Sequence, residues 1–264
     1  MDLQIKDKVY IVTGGSKGIG RAIVELLAEE SAIPVIVNRK GKEGKELLST
    51  LKNNGKEALY IEGELSEVSF CKSLVEEVMQ AYGRIDGLVN NAGKNDGVGL
   101  VGGTPDQFVE SFHNNLFHYY NLAHYAIHAI IKQKGSIVNI SSKTAITGQG
   151  GTSAYAAAKG AQLALTREWA AELADKGVRV NAVIPAEVWT PLYENWVNTF
   201  PNPQEKLNTI NQSIPFGNRM TTSEEIAETV VFLLSQRASH ITGQHLFVDG
   251  GYTHLDRVLG TLKK

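Results

Sequence analysis

The sequence predicts a doubly wound α/β fold: one parallel sheet of about seven strands with helices on both faces. Three observations carry this. Short, β-branched, continuously apolar runs alternate with longer helical stretches, the pattern of strands buried on both sides. The first such run ends in a glycine-rich turn that opens a helix. No linker, internal repeat or low-complexity tract interrupts the alternation, so residues 1–264 are expected to form a single domain.

The elements follow in order. Residues 9–12 (VYIV) are the first strand, running into Gly14 and Gly15. Residues 18–30 form a helix with Ile19, Ala22, Ile23, Leu26 and Leu27 on one face. Strand 34–37 and a charged helix over 42–53 come next, then strand 58–61 and helix 67–82. Leu88 and Val89 end the fourth strand at the turn Asn90-Asn91-Ala92-Gly93. One long helix is expected over 105–132, then strand 136–141, helix 154–174 and strand 179–184. A helix over 223–234 and a strand over 245–248 complete the series. Residues 186–222 break the spacing. This segment carries Trp189, Trp196, Phe200, Phe216 and four prolines, and is expected to be a long loop over a substrate.

Composition narrows the function. Hydrophobic residues are 42% and charged residues 20%, which suits a packed core and argues against disorder. A net charge of -2 gives no global footprint for nucleic acid or anionic membrane. One cysteine, Cys71, allows neither an intrachain disulfide nor a cysteine-based zinc cluster. The start, MDLQIKDKVY, lacks an apolar signal core, so a soluble, cytoplasmic chain is expected. His124 and His128 share a helix face without an evident third ligand, and no metal site is expected. His113 and His118, on the same predicted helix, are expected at a surface or interface.

The first turn reads Thr13-Gly14-Gly15-Ser16-Lys17-Gly18-Ile19-Gly20. A strand before it and a helix after it are the context of a dinucleotide site, where glycines let the backbone approach a pyrophosphate. The spacing is GxxxGxG, not GxGxxG, and no GKS or GKT makes it a P-loop. The second strand ends Asn38-Arg39-Lys40 without an acid. A carboxylate there would repel a 2′-phosphate, whereas Arg39 suits one and Lys17 adds a second cation. NADP is therefore favoured and NAD stays open. The plain alternative is a solvated strand end.

Further motifs stand in the same order along the chain: Asn90-Asn91-Ala92-Gly93, Asn115-Leu116, Val138-Asn139-Ile140-Ser141-Ser142 and Tyr155-Ala156-Ala157-Ala158-Lys159. With the glycine turn they resemble the classical short-chain dehydrogenase/reductase family, a group with the Rossmann arrangement, over essentially the whole chain. In the second half, Ser141 to Ala145, Gly148-Gln149-Gly150, residues 161–169, Ile184 to Tyr193 and Asp249 to Arg257 are similar to the bacterial L-fucose dehydrogenases within that family, as is Asn95-Asp96-Gly97.

The resemblance implies a role for each matching residue. Tyr155 is the general base of an oxidation. Lys159, four residues on and on the same helix face, lowers its pKa and holds the nicotinamide ribose. Ser142, thirteen residues before Tyr155, hydrogen-bonds the reacting oxygen. Asn115 holds a water that passes the proton outward. Cofactor contacts fall on Gly14, Ser16, Lys17, Gly18, Ile19, Gly20, Asn38, Arg39, Glu64, Leu65, Asn91, Ala92, Gly93, Pro185, Val188 and Thr190, with Tyr155 and Lys159. The resemblance also implies a homotetramer, built on the long helices 105–132 and 154–174.

For a sugar, the implied reaction is oxidation of the C1 hydroxyl of an aldose, L-fucose first, to the lactone. Each sugar hydroxyl buried without a partner costs about 1–3 kcal/mol, so polar neighbours are required. Asn95, Lys143, Gln149 and Glu187 are candidates, with Trp189 or Trp196 to stack on the ring. His254 and Arg257 are further candidates from the C-terminal stretch. Two other readings stay open. One is a carbonyl reductase of 3-oxoacyl thioesters or other ketones. The other is a non-catalytic nucleotide sensor, against which Asn115, Ser142, Tyr155 and Lys159 all stand.

Overall fold

A computed structural model of the chain describes residues 2–39 and 41–255. Lys40 and the C-terminal candidate Arg257 lie outside the described residues.

The strands are β1 (Val9–Thr13), β2 (Ile33–Asn38), β3 (Leu59–Glu62), β4 (Gly87–Asn90), β5 (Ser136–Ile140), β6 (Arg179–Pro185) and β7 (His245–Val248). Among the described residues they form one sheet in the order β3-β2-β1-β4-β5-β6-β7, with every neighbouring pair parallel. The order reverses between β1 and β4, where the loops leaving the two strands diverge and open a crevice. The helices are α1 (Gly18–Glu29), α2 (Lys42–Asn53), α3 (Val68–Tyr82), α4 (Pro105–Phe112), α5 (His118–Lys132), α6 (Ser153–Glu172), α7 (Pro191–Val197), α8 (Pro203–Gln212) and α9 (Ser223–Leu234).

Each face of the sheet has its own core. On one, Ile23 and Leu27 of α1 meet Ile226, Val230 and Val231 of α9 over Val12 and Val138. On the other, Leu74 and Val78 of α3, Tyr119 and Leu122 of α5, and Trp169 of α6 cover Ile11, Val35, Leu88 and Ile137. Side chains of this size each gain roughly 1.5–3 kcal/mol from burial, which explains why the central strands read as unbroken apolar runs. Arg179 closes the end of α9: its guanidinium donates to the Leu233 carbonyl at 2.6 Å and the Ser235 carbonyl at 3.0 Å. Cys71 lies within the second core, its thiol donating to the Leu65 carbonyl at 3.4 Å, and burial raises its pKa to about 11.

Two sequence expectations are corrected. The helix expected over 105–132 is interrupted by a π turn, His113–Phe117. Asn115 sits in that turn, and its side chain engages the backbone: Nδ2 donates to the Ser111 carbonyl at 3.0 Å and Oδ1 accepts from the Lys94 N–H at 2.8 Å. Such side-chain competition for backbone partners accompanies a break in the α-helical ladder. The segment 186–222 is not a loop throughout, since it contains α7 and α8. Both start signals were in the sequence: Thr190-Pro191 and Asn202-Pro203 each place a capping residue before a proline. Thr190 Oγ1 accepts from the Tyr193 N–H at 3.2 Å, and Asn202 Oδ1 from the Glu205 N–H at 3.3 Å.

Candidate active site

The crevice at the strand reversal is a cleft of about 480 Å³. Two turns build its floor. The glycine turn leaves β1, the Asn90–Gly93 turn leaves β4, and hydrogen bonds bolt the two together. Thr13 Oγ1 accepts from the N–H groups of Asn91 and Ala92 at 2.9 and 3.0 Å, and Asn91 Nδ2 donates to the Thr13 carbonyl at 2.9 Å. Two glycines of this floor leave no room for a side chain. Gly14 adopts φ +65°, and a Cβ on Gly20 would collide with the Gly14 carbonyl oxygen. The first turn of α1 carries no acid, and Lys17 makes no side-chain cap, so its N–H groups face the cleft unblocked. The residues present therefore fit a dinucleotide, whose pyrophosphate the glycine turn would hold.

Of the cofactor candidates, Gly14, Lys17, Gly18, Ile19, Gly20, Asn38, Arg39, Glu64, Leu65, Asn91, Ala92, Gly93, Pro185, Val188 and Thr190 all line the cleft. Ser16 is buried and does not line it. Lys17 lines the cleft, and its exposed ammonium pairs with Glu43 at 2.7 Å. Arg39 is exposed at the cleft edge.

Ser142, Tyr155 and Lys159 meet at the other end of the cleft. Ser142 ends the segment after β5, and its Oγ accepts from Thr144 Oγ1 at 3.0 Å. Its neighbour Ser141 points inward and donates to the Lys159 carbonyl at 2.9 Å. Tyr155 and Lys159 share a face of α6, with Lys159 Nζ 5.5 Å from the centre of the Tyr155 ring. Burial drives both groups toward their neutral forms: Tyr155 rises to about 12 and Lys159 falls to about 7. The Ser142 hydroxyl works against the rise on Tyr155, and the nearby Asp96 carboxylate adds to it. Lys159 Nζ donates to the Ile140 carbonyl at 2.7 Å, Gln162 Oε1 at 3.3 Å and Tyr119 Oη at 3.4 Å. Asn115 is buried behind the cleft, with both side-chain polar atoms engaged as described above.

The substrate candidates divide. Lys143 and Glu187 come together as an ion pair bordering the cleft, with side chains only 9% and 15% exposed. Tyr193, which lines the cleft, donates to Glu187 Oε2 at 2.7 Å, and the Lys143 ammonium lies 4.0 Å from the centre of the Tyr252 ring. The other four, like Lys143 and Glu187 themselves, are not among the residues that line the cleft. Gln149 is exposed in a separate shallow depression lined by residues 144–153 and Ala156. Asn95 is exposed and turns back to accept from the Gly97 N–H at 3.1 Å. Trp189 and Trp196 are about two-fifths exposed and pack around Tyr193, with ring centres 6.5 and 5.2 Å from it. The backbone beside Trp189 is fixed by a bridge between Val188 and Thr221. His254 sits edge-on to Phe247 at 4.3 Å.

Sequence reasoning missed several residues. His118 is buried and lines the cleft instead of a surface, and burial lowers its pKa to about 4. His113 lines the cleft as well. Asp96 Oδ1 is buried without a hydrogen-bond partner. Tyr193 was recognisable only as part of an aromatic-rich segment.

A family model described as enoyl-(acyl carrier protein) reductase matches residues 14–253, which spans both ends of this cleft. The chain belongs to the short-chain dehydrogenase/reductase family. The solved structure of Cj0485 dehydrogenase, a relative of this short-chain dehydrogenase/reductase, superposes with a TM-score of 0.93 at 52% identity, over 97% of this chain and 98% of that one. The 3-oxoacyl-[acyl-carrier-protein] reductase of Thermotoga maritima is 36% identical over 94% of this chain and 99% of its own. The L-fucose dehydrogenase of Mus musculus is 35% identical over 92% of this chain and 88% of its own. Members of this family use nicotinamide dinucleotides, in keeping with the cradle on β1. Among the described residues, no helix is long and apolar enough to cross a membrane.

Proposed function

We propose that this short-chain dehydrogenase/reductase oxidises the C1 hydroxyl of an aldose, L-fucose foremost, to the lactone, with NADP favoured over NAD. The observation that carries the substrate class is the half-hidden polar cluster of Lys143, Glu187 and Tyr193 beside Ser142. An ammonium, a carboxylate and a phenol at a cleft edge suit a polyol, whose hydroxyls both donate and accept. An acyl chain would find those charges a desolvation cost. The likeness to the mouse L-fucose dehydrogenase supports the same reading.

In this reading Ser142 Oγ donates to the C1 oxygen and Tyr155 takes its proton. The bound dinucleotide supplies the carbon that accepts the hydride. Burial alone leaves Tyr155 a poor base, so its ionisation depends on positive charge, from Lys159 and from the oxidised nicotinamide. Arg39 serves the 2′-phosphate. The same reading carries a homotetramer, supported by the half-exposed Val109 and Tyr120 on α4 and α5.

The test is reduction of NADP and NAD, followed by absorbance, over L-fucose, L-galactose, D-arabinose, D-glucose and D-xylose. Strong turnover of L-fucose is expected. Silence on every sugar, with reduction of a 3-oxoacyl thioester or simple ketone intact, would replace this reading with a carbonyl reductase, the activity named for the Thermotoga relative. Tyr155→Phe is expected to cost several orders of magnitude in turnover and to leave cofactor binding in place.

A further inference from the structure

Gln162 lies one turn beyond Lys159 on α6 and is fully buried. Its amide spans two functional elements. Nε2 donates to the main-chain carbonyl of Asn115 in the π turn at 2.6 Å, and Oε1 accepts from Lys159 Nζ at 3.3 Å. Its orientation is determined, because the carbonyl can only accept and the ammonium can only donate. The three acceptors found around Lys159 Nζ, namely the Ile140 carbonyl, Gln162 Oε1 and Tyr119 Oη, are all uncharged. These three acceptors match the three N–H donors of an ammonium, and in a buried setting each one weighs on the balance between ammonium and amine. An apolar side chain at 162 would remove an acceptor from Lys159 and leave the Asn115 carbonyl without this donor.

We infer that Gln162 is a positioning residue of the reaction, holding Lys159 as an ammonium beneath Tyr155 and locking it to the π turn. The inference rests on Tyr155 and Lys159 being the proton-handling pair. The titratable groups around Lys159 are Tyr155 on its own helix and Tyr119 and His118 on α5, while Asp96 acts on Tyr155 from the segment after β4. Of these, Tyr119 and His118 are held neutral by burial. Burial pulls Lys159 toward the neutral amine, and the hydrogen bonds it donates oppose that pull, with Gln162 providing the one side-chain amide among the acceptors found.

Two substitutions move Lys159 in opposite directions. Gln162→Leu removes the acceptor, and Gln162→Glu makes it an anion. The full-length, cofactor-free chain carrying 13C-labelled lysine is titrated by NMR, with the Lys159 signal assigned by Lys159→Met. The Lys159 midpoint is expected to fall by about one pH unit in the leucine variant and to rise by at least as much in the glutamate variant, the size of one charge-assisted hydrogen bond. The pH profile of kcat is expected to move alkaline in the leucine variant, with KM for the cofactor within about twofold of the parent. A merely structural role would lower both variants' stability without opposite shifts. Unchanged midpoints in both variants overturn the inference, and if the leucine variant does not fold, the glutamate variant decides alone. A Tyr155→Phe enzyme that kept its turnover would instead sink the proton-pair reading, and the titration result would stand apart from it.

Discussion

Lys143 and Glu187, forty-four residues apart, close on each other at the edge of the cleft, and Tyr193 adds a hydrogen bond to the free carboxylate oxygen. A buried pair of this kind costs desolvation on both sides, and removing one partner leaves the other uncompensated. Glu187→Gln keeps the shape and deletes the charge. We expect KM for the sugar to rise about tenfold, equivalent to roughly 1.4 kcal/mol, with KM for the dinucleotide unchanged. Steady-state kinetics with each substrate varied in turn checks this. Equal losses for both substrates would point to general disruption.

Charge at the other end of the cleft sets the cofactor ratio. Arg39 faces the cleft edge, and Lys17 is engaged by Glu43. Arg39→Ala is expected to raise KM for NADP by one to two orders of magnitude and to leave NAD nearly unaffected. Glu43→Gln releases Lys17 and is expected to improve NADP binding. If Arg39→Ala weakened both cofactors alike, the guanidinium would not be reading a 2′-phosphate.

Gly20→Ala tests the cradle without touching a charged group. Its methyl would meet the Gly14 carbonyl and lie 2.6 Å from Asn91 Nδ2. The turn must shift to admit it. Cofactor-induced stabilisation in a thermal melt is expected to disappear, since that stabilisation follows directly from binding. Retention of the parental shift would mean that the turn accommodates the methyl with its function intact.

His118 makes the protein sensitive to acid. The unfolded chain takes up its proton near the ordinary histidine value of about 6.5, and the folded chain only near 4. The unfolded state therefore binds more protons in that window. Stability is full above about pH 6.5 and declines as pH falls toward 4, by roughly 3 kcal/mol at most from this residue. Urea midpoints at pH 7 and pH 5 are expected to differ less in His118→Asn than in the parent. An equal acid loss in both proteins would assign the effect to carboxylates.

Features written in local backbone geometry were legible before the structure. The glycine turn, Asn90 to Gly93, and the pairing of Tyr155 with Lys159 each depend on chain direction or helical period, which neighbouring residues determine. Strands such as 179–184 were legible because burial on both faces demands unbroken apolar runs. Contacts set by distant elements were not. Gln149, Trp189 and Trp196 had suitable chemistry, yet Gln149 lies in a separate depression and the two tryptophans pack around Tyr193 without lining the cleft. Gln162 is a polar residue inside an alanine-rich helix, and only the approach of the π turn, forty-seven residues earlier, adds the second partner of its amide. His118 looked like a surface residue because the break at Asn115 alters which side of the helix faces the cleft.

The burial of Cys71 has a practical consequence. A thiol with a pKa near 11 and no exposed surface presents almost no thiolate at neutral pH, so maleimide dyes and spin labels have nothing to attack in the parent chain. A cysteine introduced at exposed Asn198, beside α7, would become the single reactive handle without any native thiol having to be removed. Fluorescence or electron-spin resonance from that position would then report how the segment over the cleft responds when sugar and dinucleotide are added.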